Sequence, residues 1–358
     1  MKMKLYEYYH NHPPAVAHCV QRKLQLPKKK CINLYGVRGA GKSAYIFDIL
    51  AQMDQETFLY IDCEDPNLAF DSLDTHSLEE YISQNDVTLL ILDHYHTSVL
   101  EKLPRIPKMI IVTRVPLALD NCTPVALFPL DYEEFLVFEK AVSASHSFNS
   151  FIKLGTLPVM SKIPSANNTE LKTFMQSKFD LQEQRLFILL SLYQTHHLTR
   201  HQLYTQAKER FKISKDWLYK KMREFEEEGV LYFIDDHYQK GGKKLILFDF
   251  VLSKYCTLDQ PFSIKFDTII ALALIKHKVD IATLGIYGYL TKKSELIIPA
   301  PFESEESMWK KSHEKFALYK THQITQVTIV TVGNNYNYTI EEISFEAMPF
   351  YEWSILFE

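Results

Sequence analysis

The chain has 358 residues, enough for two or three domains with sizeable cores, and 46% hydrophobic with 23% charged residues excludes a disordered protein. A formal net charge of −4 gives no global attraction for nucleic acid, so any DNA-contacting face must be local. The longest strongly apolar run, Ile269 to Ile275, is far too short to cross a bilayer, and no membrane partner is expected.

The five cysteines, at 19, 31, 63, 122 and 256, contain no C-x-x-C pair and are odd in number. Reduced thiols in a cytoplasmic protein are therefore expected. The opening stretch Met1 to Glu7 lacks a signal-peptide core, in keeping with a cytoplasmic location.

In chain order, the first informative element is the apolar run Cys31 to Tyr35, a short buried strand. Gly36, Val37, Arg38, Gly39, Ala40, Gly41, Lys42 and Ser43 follow as a complete G-x-x-x-x-G-K-[ST] phosphate-binding loop. Ala44 to Leu50 then carries apolar residues at helical spacing, which places an anion on a helix N-terminus. Backbone N–H groups in such a loop point at phosphate, Lys42 reaches the β- and γ-phosphates, and the Ser43 hydroxyl holds Mg²⁺. The expected cofactors are ATP and Mg²⁺. The bland alternative is a loop that keeps its shape without binding.

Thr57 to Cys63 reads as another strand, and Val87 to Asp93 as an apolar strand ending in a carboxylate. Asp93 can hold a Mg²⁺-bound water while Ser43 takes the metal directly. Lys108 to Arg114 is again apolar with a polar end, so Thr113 and Arg114 are candidate sensors of the γ-phosphate. For Arg114 a surface salt bridge is the competing reading. Strands alternating with helical segments imply a parallel sheet with ligands at its carboxyl ends.

The stretch Leu34 to Ser43, the Asp93 strand, the strand ending Ile111-Val112-Thr113-Arg114 and the segment Leu127 to Leu136 resemble the archaeal-type AAA+/STAND P-loop ATPases. That group shows Pro-Leu-x-x-x-Glu-Phe at the place of Pro129 to Phe135, and Phe151 to Pro158 is similar to its Gly-Gly-Leu-Pro stretch. Members carry an acidic residue directly after the strand aspartate, where it polarises the attacking water. Here that position is His94, followed by Tyr95 and His96. A neutral imidazole at His94 can act as the base, or the site works as a binding switch with slow hydrolysis. A metal held by His94 and His96 lacks a third ligand.

Beyond the polar stretch Ser161 to Thr169 the pattern turns helical. Leu181 to Tyr193 and Thr199 to Phe211 are two helices, and Ser214 caps a third over Lys215 to Glu228 with Leu218, Met222 and Phe225 on its apolar side. Gly229 ends it, and strands Val230 to Ile234 and Lys244 to Phe248 flank a turn over Asp235 to Gly242. Three helices and a hairpin is the order of a winged helix-turn-helix, which related ATPases carry here. DNA contact would run through Lys215, Lys220 and Arg223 and a basic wing at 240–244 (Lys240, Lys243, Lys244). The acidic end of the helix, Glu224 to Glu228, argues instead for a packing module.

The last segment reads as a helix through Phe266 and Leu274, strands at Thr283 to Leu290 and Glu295 to Ile298, a helix over Ser307 to Tyr319, and strands at Gln326 to Val332 and Tyr338 to Phe345. This order resembles a restriction-endonuclease-like domain. The resemblance puts the first acidic position at Asp267, but Ile297 replaces the central aspartate and Pro299 to Glu303 replaces the lysine strand. Such a site would hold Mg²⁺ poorly, so no cutting is expected.

The fold class expected is α/β: a P-loop NTPase parallel sheet at 1–140, a helical linker at 141–178, a winged helix-turn-helix at 179–250 and a small nuclease-like domain, inactive, at 251–358. The leading function is an ATP-binding protein of AAA+/STAND type. An active DNA-dependent ATPase or nuclease and a non-catalytic interaction protein with structural ATP are the alternatives, with a protein partner or a second copy as further candidates.

Overall fold

Short apolar runs bounded by polar turns become the strands of one parallel sheet in Met1–Pro129, the first of two units; the second is Leu130–Glu358. The computed structural model describes residues 2–15, 20–69, 73–119, 121–139, 143–161, 168–237, 241–257 and 259–357. The first unit contains α1 (Lys2–Asn11), β1 (Cys31–Tyr35), α2 (Lys42–Leu50), β2 (Phe58–Asp62), α3 (Thr75–Gln84), β3 (Leu89–Asp93), β4 (Met109–Thr113) and β5 (Cys122–Ala126). Strand order is β2-β3-β4-β1-β5, with every neighbouring pair parallel.

Alternation along these strands feeds two cores, one per face. Leu59, Ile61, Leu90, Leu92 and Ile111 pack with Tyr6 of α1 and Tyr81 of α3, while Ile32, Leu34, Ile91, Ile110 and Val112 pack with Ile46 and Leu50 of α2. Both faces are thereby covered, as a parallel sheet requires. All five strands therefore end on the same edge, where the phosphate loop and Asp93 emerge.

The edge strand β5 has no clear signature in the sequence, because Pro124 interrupts it. Pro lacks an N–H and is tolerated at a sheet edge, and Pro124 is exposed there. Its register places Cys122 opposite Cys31, Cα atoms 4.5 Å apart, and the two form a disulfide across 91 residues. The expectation of reduced thiols is corrected for this pair; Cys63 and Cys256 are thiols, and Cys19 lies outside the described residues.

In the second unit α4 (Tyr132–Glu139), α5 (Ala144–Leu154), α6 (Pro158–Ser161) and α7 (Asn168–Lys178) lead to α8 (Leu181–Leu192), β6 (His197–Leu198), α9 (Arg200–Arg210), α10 (Lys215–Glu228), β7 (Leu231–Ile234) and β8 (Lys243–Leu247). Caps set these boundaries. Asp180 with Glu183 and Thr199 with Gln202 form capping boxes, Ser214 accepts from the Trp217 N–H, and Gly229 closes α10 in the left-handed region at φ 75°. The three short strands form a sheet in the order β6-β8-β7. Residues 162–167 of the polar stretch, and Lys240 of the basic turn, lie outside the described residues.

After α11 (Phe250–Tyr255) and α12 (Phe262–Lys276), the strands β9 (Ile281–Thr283), β10 (Tyr289–Thr291), β11 (Glu295–Pro299), β12 (Gln326–Thr331), β13 (Tyr336–Ile340) and β14 (Ile343–Pro349) form a mixed sheet, order β13-β14-β12-β11-β10-β9. Between β11 and β12 lie α13 (Glu305–Glu314) and α14 (Phe316–Thr321), and α15 (Phe350–Trp353) closes the unit.

Two expected strands are each two. The run at 283–290 folds back as β9 and β10, because the Leu284 N–H bonds to Gly288 O at 2.9 Å across a turn. The run at 338–345 reverses at Glu341, φ 50°, pairing Ile340 with Ile343. The expected helix at 307–319 is likewise two, broken at Lys315. Among the described residues no helix is long and apolar enough to cross a membrane.

Candidate functional site

The Gly36–Ser43 loop leaves β1 and enters α2 at Lys42. Gly39 and Gly41 stand at φ 86° and 89°, conformations that side chains resist, so the loop needs glycine at both. Gly36 is required for space, since a Cβ there would sit 2.2 Å from the carbonyl oxygen of Leu127. As N-cap, Gly41 offers α2 no side-chain acceptor. The first-turn N–H groups thus stand where a phosphate can serve as the cap.

Lys42 Nζ donates to Gly36 O at 2.7 Å and to Val37 O at 3.1 Å. The ammonium lies folded over its own loop on neutral carbonyls, bonds that charged phosphate oxygens can outcompete. Val37, Arg38 and Ala40 are buried, and Ser43 lies in the first turn of α2. Glycine cradle, lysine and hydroxyl together fit a nucleotide phosphate.

Asp93 ends β3 fully buried. Its Oδ2 accepts from the Tyr60 hydroxyl at 2.8 Å and its Oδ1 from the His94 backbone N–H at 2.8 Å, which fixes the carboxylate plane. As a hard oxygen donor Asp93 suits Mg²⁺ or a water bound to it. Tyr60 sits on β2, where by sequence it reads as one more core aromatic. Burial first, then the Asp93 charge, push its hydroxyl pKa up, so it stays a donor.

His94 occupies the left-handed region at φ 50°. Its Nδ1 lies 2.9 Å from Oδ1 of Asp62 at the end of β2, and 3.9 Å from Asp93 Oδ1. Asp62 and Asp93 are register partners, which is why one imidazole meets both, a pairing with no local sequence signal. The bond to Asp62 raises the His94 pKa against the opposing effect of burial, with Asp93 and Glu64 adding to the rise. A raised pKa makes the imidazole a better partner for the Asp62 carboxylate.

Thr113 ends β4 with its hydroxyl turned inward. It accepts from Asn33 Nδ2 at 2.8 Å and donates to Val115 O at 2.7 Å, stitching β1 to the exit of β4. Arg114 lies 3.5 Å from Glu64, both about half exposed (48% and 55%).

In the second unit Lys215, Lys220 and Arg223 are exposed along α10. Lys220 lies 3.9 Å from Glu224 and Lys215 stacks over the Tyr219 ring. Lys243 pairs with Asp235 at 2.9 Å. Lys244 does not belong to a wing surface. It is 8% exposed in its side chain, with Nζ 2.6 Å from Asp267 Oδ2 and 4.5 Å from the centre of the Tyr289 ring. Its place opposite His197 in the centre of a three-stranded sheet turns it inward. Asp267 also accepts from the Tyr289 hydroxyl at 2.5 Å, and Ile297 is buried in β11. The acidic position read as a nuclease ligand is thus taken up by a lysine and a tyrosine.

Residues 28–101 match the family described as an AAA domain. That span contains the whole Gly36–Ser43 loop and Asp93, so this stretch of the chain is similar to an AAA domain. No curated protein matches the chain. Likeness to solved structures is remote. A Walker-type ATPase of Pyrococcus abyssi is 12% identical, over 64% of this chain and 91% of that one, with a TM-score of 0.44. The Aeropyrum pernix ORC1 protein in complex with DNA is 11% identical, over 65% and 87%, with a TM-score of 0.33. Drosophila ORC bound to DNA is 10% identical, over 72% and 90%, with a TM-score of 0.24.

Proposed function

We propose that the chain is a Mg-ATP-binding protein of AAA+/STAND type, which couples nucleotide occupancy to a domain rearrangement and so to a partner or DNA. The observation that carries this reading is the glycine loop running from β1 into the uncapped N-terminus of α2, with Lys42 folded over it. Gly39 and Gly41 let the backbone approach the phosphates, Lys42 neutralises their charge, and Ser43 with Asp93 supplies the oxygen donors for Mg²⁺. Bound Mg-ATP supplies the triphosphate and its hydrolysable bond. His94, with Nδ1 engaged by Asp62 at 2.9 Å in the place where relatives carry an acidic residue, favours binding with slow turnover over rapid hydrolysis.

Calorimetry with ATP on wild type and Lys42→Ala tests the reading. Loss of the ammonium is expected to weaken binding about ten- to a hundredfold, and equal affinity in both would sink it. Steady-state hydrolysis with and without DNA then separates switch from enzyme.

A nucleic-acid partner is favoured by one further observation. Lys208, Arg210, Lys212, Lys215, Lys220 and Arg223 are all exposed on α9, α10 and their connection, in a helix–hairpin order that supports the winged-helix reading. A salt-dependent DNA shift abolished by charge removal at Lys215, Lys220 and Arg223 is the expected result. An unchanged shift would leave a protein partner or a second copy as the ligand of this unit.

A further inference from the structure

Arg22 lies before β1, outside every motif legible in the sequence. Its side chain is buried, and the planar guanidinium donates from Nη1 to Ala40 O at 2.9 Å and from Nη2 to Phe128 O at 2.7 Å. Ala40 is inside the phosphate loop. Phe128 follows Leu127, whose backbone walls Gly36 and donates to Tyr35 O at 2.8 Å. One fork therefore joins the loop to the segment that braces its first glycine. The stretch carrying Arg22 is itself pinned to α2, because the Tyr45 hydroxyl donates to Leu24 O at 2.8 Å.

We propose that Arg22 is a positioning residue for the phosphate site, holding the Ala40 carbonyl outward so that the Gly41 N–H of the same peptide faces the loop interior. The inference rests on reading Gly36–Ser43 as a nucleotide site. In a planar trans peptide the C=O and N–H point in opposite directions, so fixing one aims the other. A guanidinium on the carbonyl also polarises the peptide and strengthens its N–H as a donor. The buried cation adds positive potential where dielectric screening is weak. Both bonds are made between protein groups alone, so the fold itself aims the donor at the loop interior. A lysine could reach one carbonyl but not both in this fork geometry.

The test compares ATP and adenosine binding by the full-length wild type, Arg22→Gln, Arg22→Lys and Lys42→Ala, with thermal unfolding in the absence of nucleotide. Arg22→Gln is expected to weaken ATP about tenfold and adenosine, which has no phosphate, less than about twofold. Arg22→Lys keeps the charge and one bond, and is expected to fall between wild type and Arg22→Gln; it carries the test if Arg22→Gln does not fold. ATP affinity unchanged in Arg22→Gln while Lys42→Ala loses it overturns the proposal and leaves the nucleotide site standing. Equal loss of ATP and adenosine also overturns it, since that marks general distortion. A wild type that binds no ATP overturns the nucleotide reading and this inference with it.

Discussion

Each unit contains an aspartate held by a tyrosine hydroxyl, fully buried at Asp93 and mostly buried at Asp267, and the two differ in where the lysine went. In the first unit Tyr60 donates to Asp93 and the His94 backbone supplies the second bond, while Lys42 rests on the carbonyls of its own loop. In the second, Tyr289 donates to Asp267 and Lys244 closes directly on the same carboxylate at 2.6 Å. A lysine on a carboxylate makes a finished ion pair with no charge left to offer. Asp93 is instead oriented by a hydroxyl and a backbone N–H, with the His94 ring 3.9 Å away, and Lys42 donates to two carbonyls of the phosphate loop. Residue types do not separate the two clusters. The position of the cation does.

The largest effect expected from this contrast is in the second unit. Lys244→Met removes the partner of a mostly buried carboxylate and should destabilise that unit by about 3–5 kcal/mol. Trp217, Trp309 and Trp353 all lie in Leu130–Glu358, so tryptophan fluorescence in urea reports on this unit. Replacing Asp267 by Leu in the same chain should restore most of the loss. A cost below about 1 kcal/mol would mean that Asp267 manages without its lysine, and the contrast would collapse.

Gly36→Ala ranks next. A methyl group 2.2 Å from Leu127 O forces β1 and the exit of β5 apart, costing about 2–4 kcal/mol. Hydrogen exchange should show both segments opening, with ATP binding lost. Unchanged exchange there would show that the loop does not depend on its brace.

The phosphate loop, β1 to β4 and the three capped helices were legible because each is written locally. Gly41 before a helical repeat, Ser214 three residues before Trp217, and apolar runs of strand length each declare themselves within about a turn. Partners set by register were not legible. Asp62 and Asp93 meet because β2 pairs with β3, Cys31 and Cys122 because β1 pairs with β5, and Arg22 reaches Ala40 and Phe128 across 18 and 106 residues. Lys244 reads as a wing cation because it follows Lys243 directly at the start of an otherwise apolar strand, and its inward face is set by packing on Asp267 and Tyr289 rather than by local pattern. The hairpins hidden in 283–290 and 338–345 failed for another reason. In the first the turn spans Leu284 to Gly288, with Gly285 at φ 56° and Gly288 spaced apart rather than as an Asn-Gly pair. In the second Glu341 and Glu342 fill the turn, Glu341 adopting its left-handed φ of 50° without a sequence signal.

A smaller effect probes how Asp93 is held. Tyr60→Phe deletes the bond to Oδ2 while keeping the ring, and should cost about 1 kcal/mol of first-unit stability. It should also raise the Mg²⁺ concentration needed for ATP binding, because the freed carboxylate is no longer oriented. Calorimetry across a Mg²⁺ series checks this, and an unchanged Mg²⁺ requirement would remove Asp93 from the metal's donor set.

The smallest effect asks whether His94 brings a cation to Asp93 after all. His94 is 32% and Asp62 40% exposed in their side chains, so solvent limits their interaction to under about 1 kcal/mol. The sign follows from the directions of the two shifts. His94 has its pKa raised, chiefly by the Asp62 bond, so its contribution is complete below the unfolded value of about 6.5 and fades as pH rises through the higher folded value. For Asp62 burial pushes upward, but the His94 bond and the Glu64 N–H hold it low, so its side of the pair persists until acid pH. Asp62→Asn should therefore destabilise the first unit most between about pH 4 and 6.5, with the gap closing toward pH 9. Chemical unfolding at pH 5.5 and pH 9, followed by hydrogen exchange of β2 and β3, measures the two gaps. A gap that does not change with pH would mean that Asp62 holds a neutral ring, leaving Asp93 with neutral donors only and sharpening its difference from Asp267.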